Sequence, residues 1–164
     1  MRRRLSDEEA THKMERYCAY QERSHIEVKN KLAALGIHGH TANEIMAKLI
    51  QNDYLNETRF ALQFARGKFR IKKWGPIRIR MELKNRKVSD YNIQKALDQI
   101  DAISYDEHFD QWAQHKWEHL SQTSNNIEEI KRKWVRYFQY RGWENERIYD
   151  KLRVLASVSN KNDR

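Results

Sequence analysis

The sequence predicts an all-α chain of three tandem three-helix repeats, elongated and curved, and three observations carry that prediction. Five glycines and one proline serve 164 residues, too few for the turns an all-β fold needs. Apolar residues recur at helical spacing almost throughout, which gives each helix one buried stripe. The same apolar pattern also returns further along the chain, as a repeat architecture requires.

The helices are taken in order. Ser6 with Glu9 has the capping-box spacing and opens a helix over 7–22; Ser24 with Glu27 opens one over 25–35, which Gly36 stops. Thr41 with Glu44 begins a helix over 42–52, and a helix over 57–72 follows the Tyr54-Leu55-Asn56-Glu57 turn. Gly75-Pro76 places a proline where a first helical turn tolerates it and starts 76–86; a helix over 90–100 comes next. Ser104 with Glu107 opens 105–122, Asn126 with Glu129 is a variant box opening 127–141, Gly142 ends that helix, and the last covers 144–156.

Ile79, Leu83, Val88, Ile93, Leu97 and Ile100 superimpose without a gap on Trp134, Phe138, Trp143, Ile148, Leu152 and Leu155. An earlier copy has Val28, Leu32, Ile37, Ile45 and Leu49, with extra residues in the IHGHTAN turn. The chain is thus read as a helix start over 1–15, repeats over 16–56, 57–104 and 105–156, and a polar tail over 157–164.

Lys and Arg number 32 against 23 Asp and Glu, for a net charge of +9, so a polyanion or an acidic surface is the expected partner. Between Arg66 and Lys87 lie ten basic residues and one acid, Glu82. The candidate contacts there are Arg66, Lys68, Arg70, Lys72, Lys73, Arg78 and Arg80, with Trp74 as the candidate exposed aromatic. Phe69, Ile71, Ile77 and Ile79 interleave with them and are expected to anchor the helices. A second candidate cluster is Lys131, Arg132, Lys133, Arg136 and Arg141, in the matching helix of the third repeat. Asp101, Asp106, Glu107, Asp110 and Glu118 against Lys116 make the connecting region acidic, and this alternation suits a partner with patches of both signs.

Other classes are poorly supported. The single cysteine, Cys18, excludes an intramolecular disulfide and any all-cysteine metal site, and reads as a small core residue. The start MRRRLSDEEA has no apolar stretch behind its arginines, and no window approaches the roughly 20 apolar residues of a membrane span; a cytoplasmic monomer is expected. No phosphate loop, GxSxG elbow or HExxH motif occurs. His115 and His119 lie one turn apart without a clear third ligand, and His38-Gly39-His40 reads as a polar turn, so no metal, cofactor or catalysis is expected.

The stretches QERSHIEVKNKL, IMAKLIQNDYLNETRFALQFAR and KKWGPIRIRMELKNRKVSDYNIQKAL resemble the RecX family of regulatory proteins, bacterial modulators of the RecA recombinase. Arg23-Ser24 with Glu27, the turn leading into Phe60-Ala61, and Gly75-Pro76-Ile77-Arg78 with Glu82-Leu83 carry the likeness, which covers roughly residues 16 to 156. Lys87 departs from the family's usual glycine, weakening a helix stop, and Asn56-Glu57 departs from a more acidic pair. The resemblance implies three three-helix repeats and a non-enzymatic protein of DNA repair, recombination and the SOS response. Such a protein lies in the groove of the RecA filament on single-stranded DNA and dampens strand exchange, ATP hydrolysis and coprotease activity. The alternative from the residues alone is an autonomous nucleic-acid-binding protein with helix-turn-helix-like units that contacts single-stranded DNA directly.

A compact globe of this length has a gyration radius of about 15 Å. Solution scattering should return a clearly larger value, as repeats that touch mainly their neighbours require; a value near that of the globe would contradict the tandem arrangement.

Overall fold

Each helix forms where an N-terminal cap and an apolar stripe coincide. The structure, a computed structural model, describes residues 5–101 and 105–162, the side chains of 101 and 159–162 excepted. Among the described residues the elements are nine helices and no strand: α1 (Asp7–Tyr20), α2 (His25–Ala34), α3 (Gly39–Gln51), α4 (Glu57–Lys72), α5 (Pro76–Asn85), α6 (Asp90–Asp101), α7 (Tyr105–Thr123), α8 (Ile127–Tyr140) and α9 (Asn145–Asn162).

The boxes at Ser6/Glu9 and Ser24/Glu27 form with both bonds each. Ser24 is fully buried, so its hydroxyl needs the Glu27 carboxylate, to which it donates at 2.8 Å. At α8 the box is modified: Asn126 Oδ1 accepts from the amides of Glu128 and Glu129, while Ser124 Oγ donates to the Glu129 carboxylate. Asn56 caps α4 by accepting from the Arg59 amide at 2.9 Å. Glu57 Oε2 accepts from Ser89 Oγ and from Asn92 Nδ2 at 3.0 and 2.6 Å, tying the start of α6 to α4. The Thr41/Glu44 box does not form. Gly39 takes a positive φ of 60° and turns the chain into α3 three residues early, so Thr41 already lies in the first turn and Glu44 instead meets His40 at 3.3 Å. Ser104 of the fourth expected box lies outside the described residues.

One turn recurs in all three repeats. The amide of Ile37 donates to the Leu32 carbonyl and that of Gly36 to Ala33; Val88 to Leu83 and Lys87 to Lys84; Trp143 to Phe138 and Gly142 to Gln139. This is the Schellman stop, in which a left-handed residue closes the helix and an apolar pair packs across the closure. The left-handed residues are Gly36, Lys87 and Gly142, at φ of 79°, 59° and 79°. The registered apolar positions Val28, Ile79 and Trp134, then Leu32, Leu83 and Phe138, then Ile37, Val88 and Trp143, then Ile45, Ile93 and Ile148 are all buried. Lys87 therefore makes the stop that the missing glycine would make, with backbone strain added.

The chain packs into two compact units, one of the residues up to Phe64 with Glu82–Ala96, the other of Ala65–Met81 with the residues from Leu97 onward. In the first, α1, α2 and α3 pack on one another around Met14, Cys18, Val28, Leu32, Ile45 and Leu49. Burial pushes the Cys18 thiol up to about 11, so it stays protonated and inert at neutral pH. In the second, α7, α8 and α9 pack pairwise around an aromatic core that includes Phe109, Trp117, Trp134, Phe138 and Trp143. The indole of Trp134 donates to the Ala113 carbonyl at 3.0 Å, so its one polar atom is satisfied. The helices α4, α5 and α6 each contribute residues to both units.

Two substitutions test the registration. Leu83, fully buried, should cost about 2 to 5 kcal/mol when cut to alanine. Lys87→Gly should gain about 0.5 to 1 kcal/mol, the strain of a left-handed lysine less the extra chain entropy of glycine. Denaturant melts of both read the result.

Candidate functional site

Within the second unit, the segment from Lys73 to Arg78 docks on the turn that ends α8, and the docking is made largely by backbone. The Gly75 amide donates to the Arg141 carbonyl at 2.8 Å and the Ile77 amide to the Gly142 carbonyl at 3.1 Å. The first N–H groups of α5 thus meet the last carbonyls of α8, two sets of groups that helix geometry leaves unpaired. The Trp143 indole donates to the Lys73 carbonyl at 2.9 Å, and Arg78 Nη1 to the Tyr140 carbonyl at 3.0 Å. Only glycine fits at the contact: a Cβ on Gly75 would fall 2.4 Å from the Gly142 oxygen, and one on Gly142 would fall 2.3 Å from the Arg78 nitrogen.

This docking sorts the expected contact residues. Trp74 is half-buried, with the Arg78 guanidinium 4.2 Å and the Lys68 ammonium 5.1 Å from its ring centre. Arg78 also lies 4.6 Å from the Tyr140 ring. Arg66 donates to Gln99 Oε1 at 2.7 Å, Arg80 is half-buried, and Arg70 and Lys72 are exposed. In the second cluster, Lys131 and Lys133 pair with Glu128 and Glu129 of their own helix at 2.8 and 2.6 Å. Arg132 and Arg136 are exposed. Arg141 folds its guanidinium over Tyr137, 3.6 Å from the ring centre.

Two expectations change. Phe69 and Ile79 anchor their helices, but Ile71 and Ile77 do not: they are 78% and 55% exposed, and Met81, one turn beyond Ile77, is 52% exposed. The interleaved stripe fails because the docked turn fixes which side of α5 faces inward, and that side carries Ile79. The acidic connector is also less acidic than its sequence, because Asp106 pairs with Arg147 and Asp110 with Lys151 from α9. Asp101 has no described side chain.

Lys116 was missed as a contact residue because its sequence neighbours are acidic. It is half-buried, its ammonium 4.4 Å from the Tyr137 ring, and burial, then Arg141 and Lys73, hold it below the usual lysine range. Among the described residues no group of three or more His, Cys, Asp or Glu is placed to hold a metal ion, and no helix is long and apolar enough to cross a membrane.

Residues 56–97 match the family model for the second three-helix domain of RecX. The chain is 28% identical over 81 residues to regulatory protein RecX of Bacillus cereus strain AH820 and, to the same extent, to that of Bacillus anthracis strain A0248. Each match covers 49% of this chain and 30% of the relative, so the chain spans less than a third of the curated relatives it matches. A crystal structure of RecX from Lactobacillus salivarius superimposes with a TM-score of 0.77 at 23% identity, over 92% of this chain and 96% of the other. A second crystal structure, of regulatory protein RecX, gives 0.76 at 18% over 90% and 72%. At these identities the two structures establish the fold.

Arg78 is the side chain that joins Trp74, Tyr140 and the turn. Arg78→Lys keeps the charge but loses the planar stacking, and should lower stability by about 1 kcal/mol. A chemical melt that did not move would show the stack to be incidental.

Proposed function

We propose that the chain is a regulatory protein of the RecX family, a non-enzymatic one that binds the RecA filament on single-stranded DNA in its groove. It acts there as a cytoplasmic monomer built of repeats 16–56, 57–104 and 105–156, and inhibits the recombinase, ATPase and coprotease activities. The observation that carries this reading is the mixed character of the stretch from Arg70 to Met81. Exposed Ile71, Ile77 and Met81 stand among Arg70, Lys72 and Arg78. A phosphate backbone asks only for cations, whereas a protein surface with acidic patches covers apolar side chains as well as charged ones.

Direct binding of single-stranded DNA by helix-turn-helix-like units is the second reading, favoured by the unpaired cations beside Tyr137. Binding to RecA without DNA, set against binding to DNA without RecA, separates the two.

The variant Arg70→Glu with Lys72→Glu and Ile77→Asp changes three exposed side chains and should leave the fold intact. It should lose inhibition of RecA strand exchange while its circular dichroism melt matches the parent. Unchanged inhibition by the folded variant would remove this surface from the mechanism.

A further inference from the structure

In the second unit one lysine stands among cations instead of carboxylates. Lys116, from the middle of α7, is half-buried with its ammonium 4.4 Å from the Tyr137 ring centre. Arg141, at the end of α8, lies over the same ring at 3.6 Å, and Lys73, which follows α4, has its ammonium 6.0 Å from the Trp112 ring centre. The charges that act on Lys116 are these two, both positive. Other lysines of the unit meet carboxylates: Lys131 and Lys133 on α8, Lys151 on α9. Burial and like charge both disfavour the ammonium form, so Lys116 presents more free amine at neutral pH than an exposed lysine does. The free amine carries the lone pair of a nucleophile, which the ammonium lacks.

We propose that Lys116 is a modification site, acylated by small acyl phosphates whose phosphate group Lys73 and Arg141 hold. An acyl phosphate suits the arrangement because its leaving group is an anion joined directly to the reacting carbonyl. Cations on either side of the amine draw that anion in and stabilise the charge that gathers on it as it departs. A thioester donor carries no charge at that position and gains nothing from the two cations. In the step, the lone pair of Lys116 Nζ attacks the carbonyl carbon. The C–N bond forms while the bond from carbon to the phosphate oxygen breaks, and inorganic phosphate leaves with that bonding pair. The proton lost from the nitrogen passes to the departing phosphate or to water, and nothing is oxidised or reduced. The product is a neutral amide, so the reaction removes the charge that Lys73 and Arg141 repel. The site makes no use of Arg70, Lys72 or Ile77 and needs neither RecA nor nucleic acid.

The test incubates the full chain with acetyl phosphate at neutral pH and follows acetylation lysine by lysine by peptide mass spectrometry, at times when each site is modified only slightly. Lys116 should acetylate several-fold faster than Lys95, which is exposed, and than Lys133, which is paired with Glu129. Arg141→Gln should slow acetylation at Lys116 several-fold and leave the rate at Lys95 unchanged. Lys73→Gln should do the same from another segment, which keeps the test decisive if one of the two variants misfolds. The neutral ester 4-nitrophenyl acetate separates the two parts of the proposal: it needs the free amine but no cation for its leaving group, so both variants should slow its reaction at Lys116 less than that of acetyl phosphate. A folded parent in which acetyl phosphate modifies Lys116 no faster than Lys95 would overturn the proposal, and so would folded variants that keep the parent's rate at Lys116. Equal losses with the neutral ester would also overturn it, by leaving Lys73 and Arg141 no part in holding phosphate. Because no RecA is present, a failure here leaves the filament reading standing, and a failure of the strand-exchange test leaves this one standing.

Discussion

The contact between Gly75 and Gly142 sets the geometry on which the functional surface depends. Two backbones approach there to distances that exclude any side chain, and the amides that open α5 find the carbonyls that close α8. A helix start carries partial positive charge and a helix end partial negative charge, so the meeting is favourable in electrostatics as well as in hydrogen bonding. From this one joint follow the placement of Trp143 under Lys73, of Arg78 between Trp74 and Tyr140, and of Lys73 toward Lys116.

The same joint explains the division of labour among the basic residues. Those nearest it, Lys68, Arg78 and Arg141, are laid against aromatic rings, where the cation keeps part of its stabilisation without a carboxylate. Lys131 and Lys133 on α8 are turned back to glutamates in its first turn. Arg70 and Lys72 remain exposed beside Ile71. A count of charges along the chain treats all of these alike, whereas their surroundings give them three different uses.

Much of this was legible in the sequence. Capping boxes and left-handed stops are local, so Ser6, Ser24, Asn126, Gly36 and Gly142 announce their helices, and the apolar registration from Val28 to Ile148 predicts which side chains are buried. The misses are tertiary or conformational. Thr41 looks like a cap until Gly39 is seen to turn the chain early. Lys87 looks like a weakened stop, yet the bonds around it match those at the two glycines, because packing of Leu83 and Val88 holds it left-handed. Lys116 sits among acids in the sequence and among cations in space, and no local signal distinguishes the two.

The proposed function has the chain act on a filament, through its position along RecA. A titration of RecA strand exchange and ATP hydrolysis with substoichiometric amounts of the protein tests this most directly. The account predicts inhibition at well below one molecule per RecA subunit, unaffected by a modest excess of free single-stranded DNA. Inhibition that appears only near equal amounts, or that added DNA relieves, would contradict it and assign the effect to sequestration of DNA.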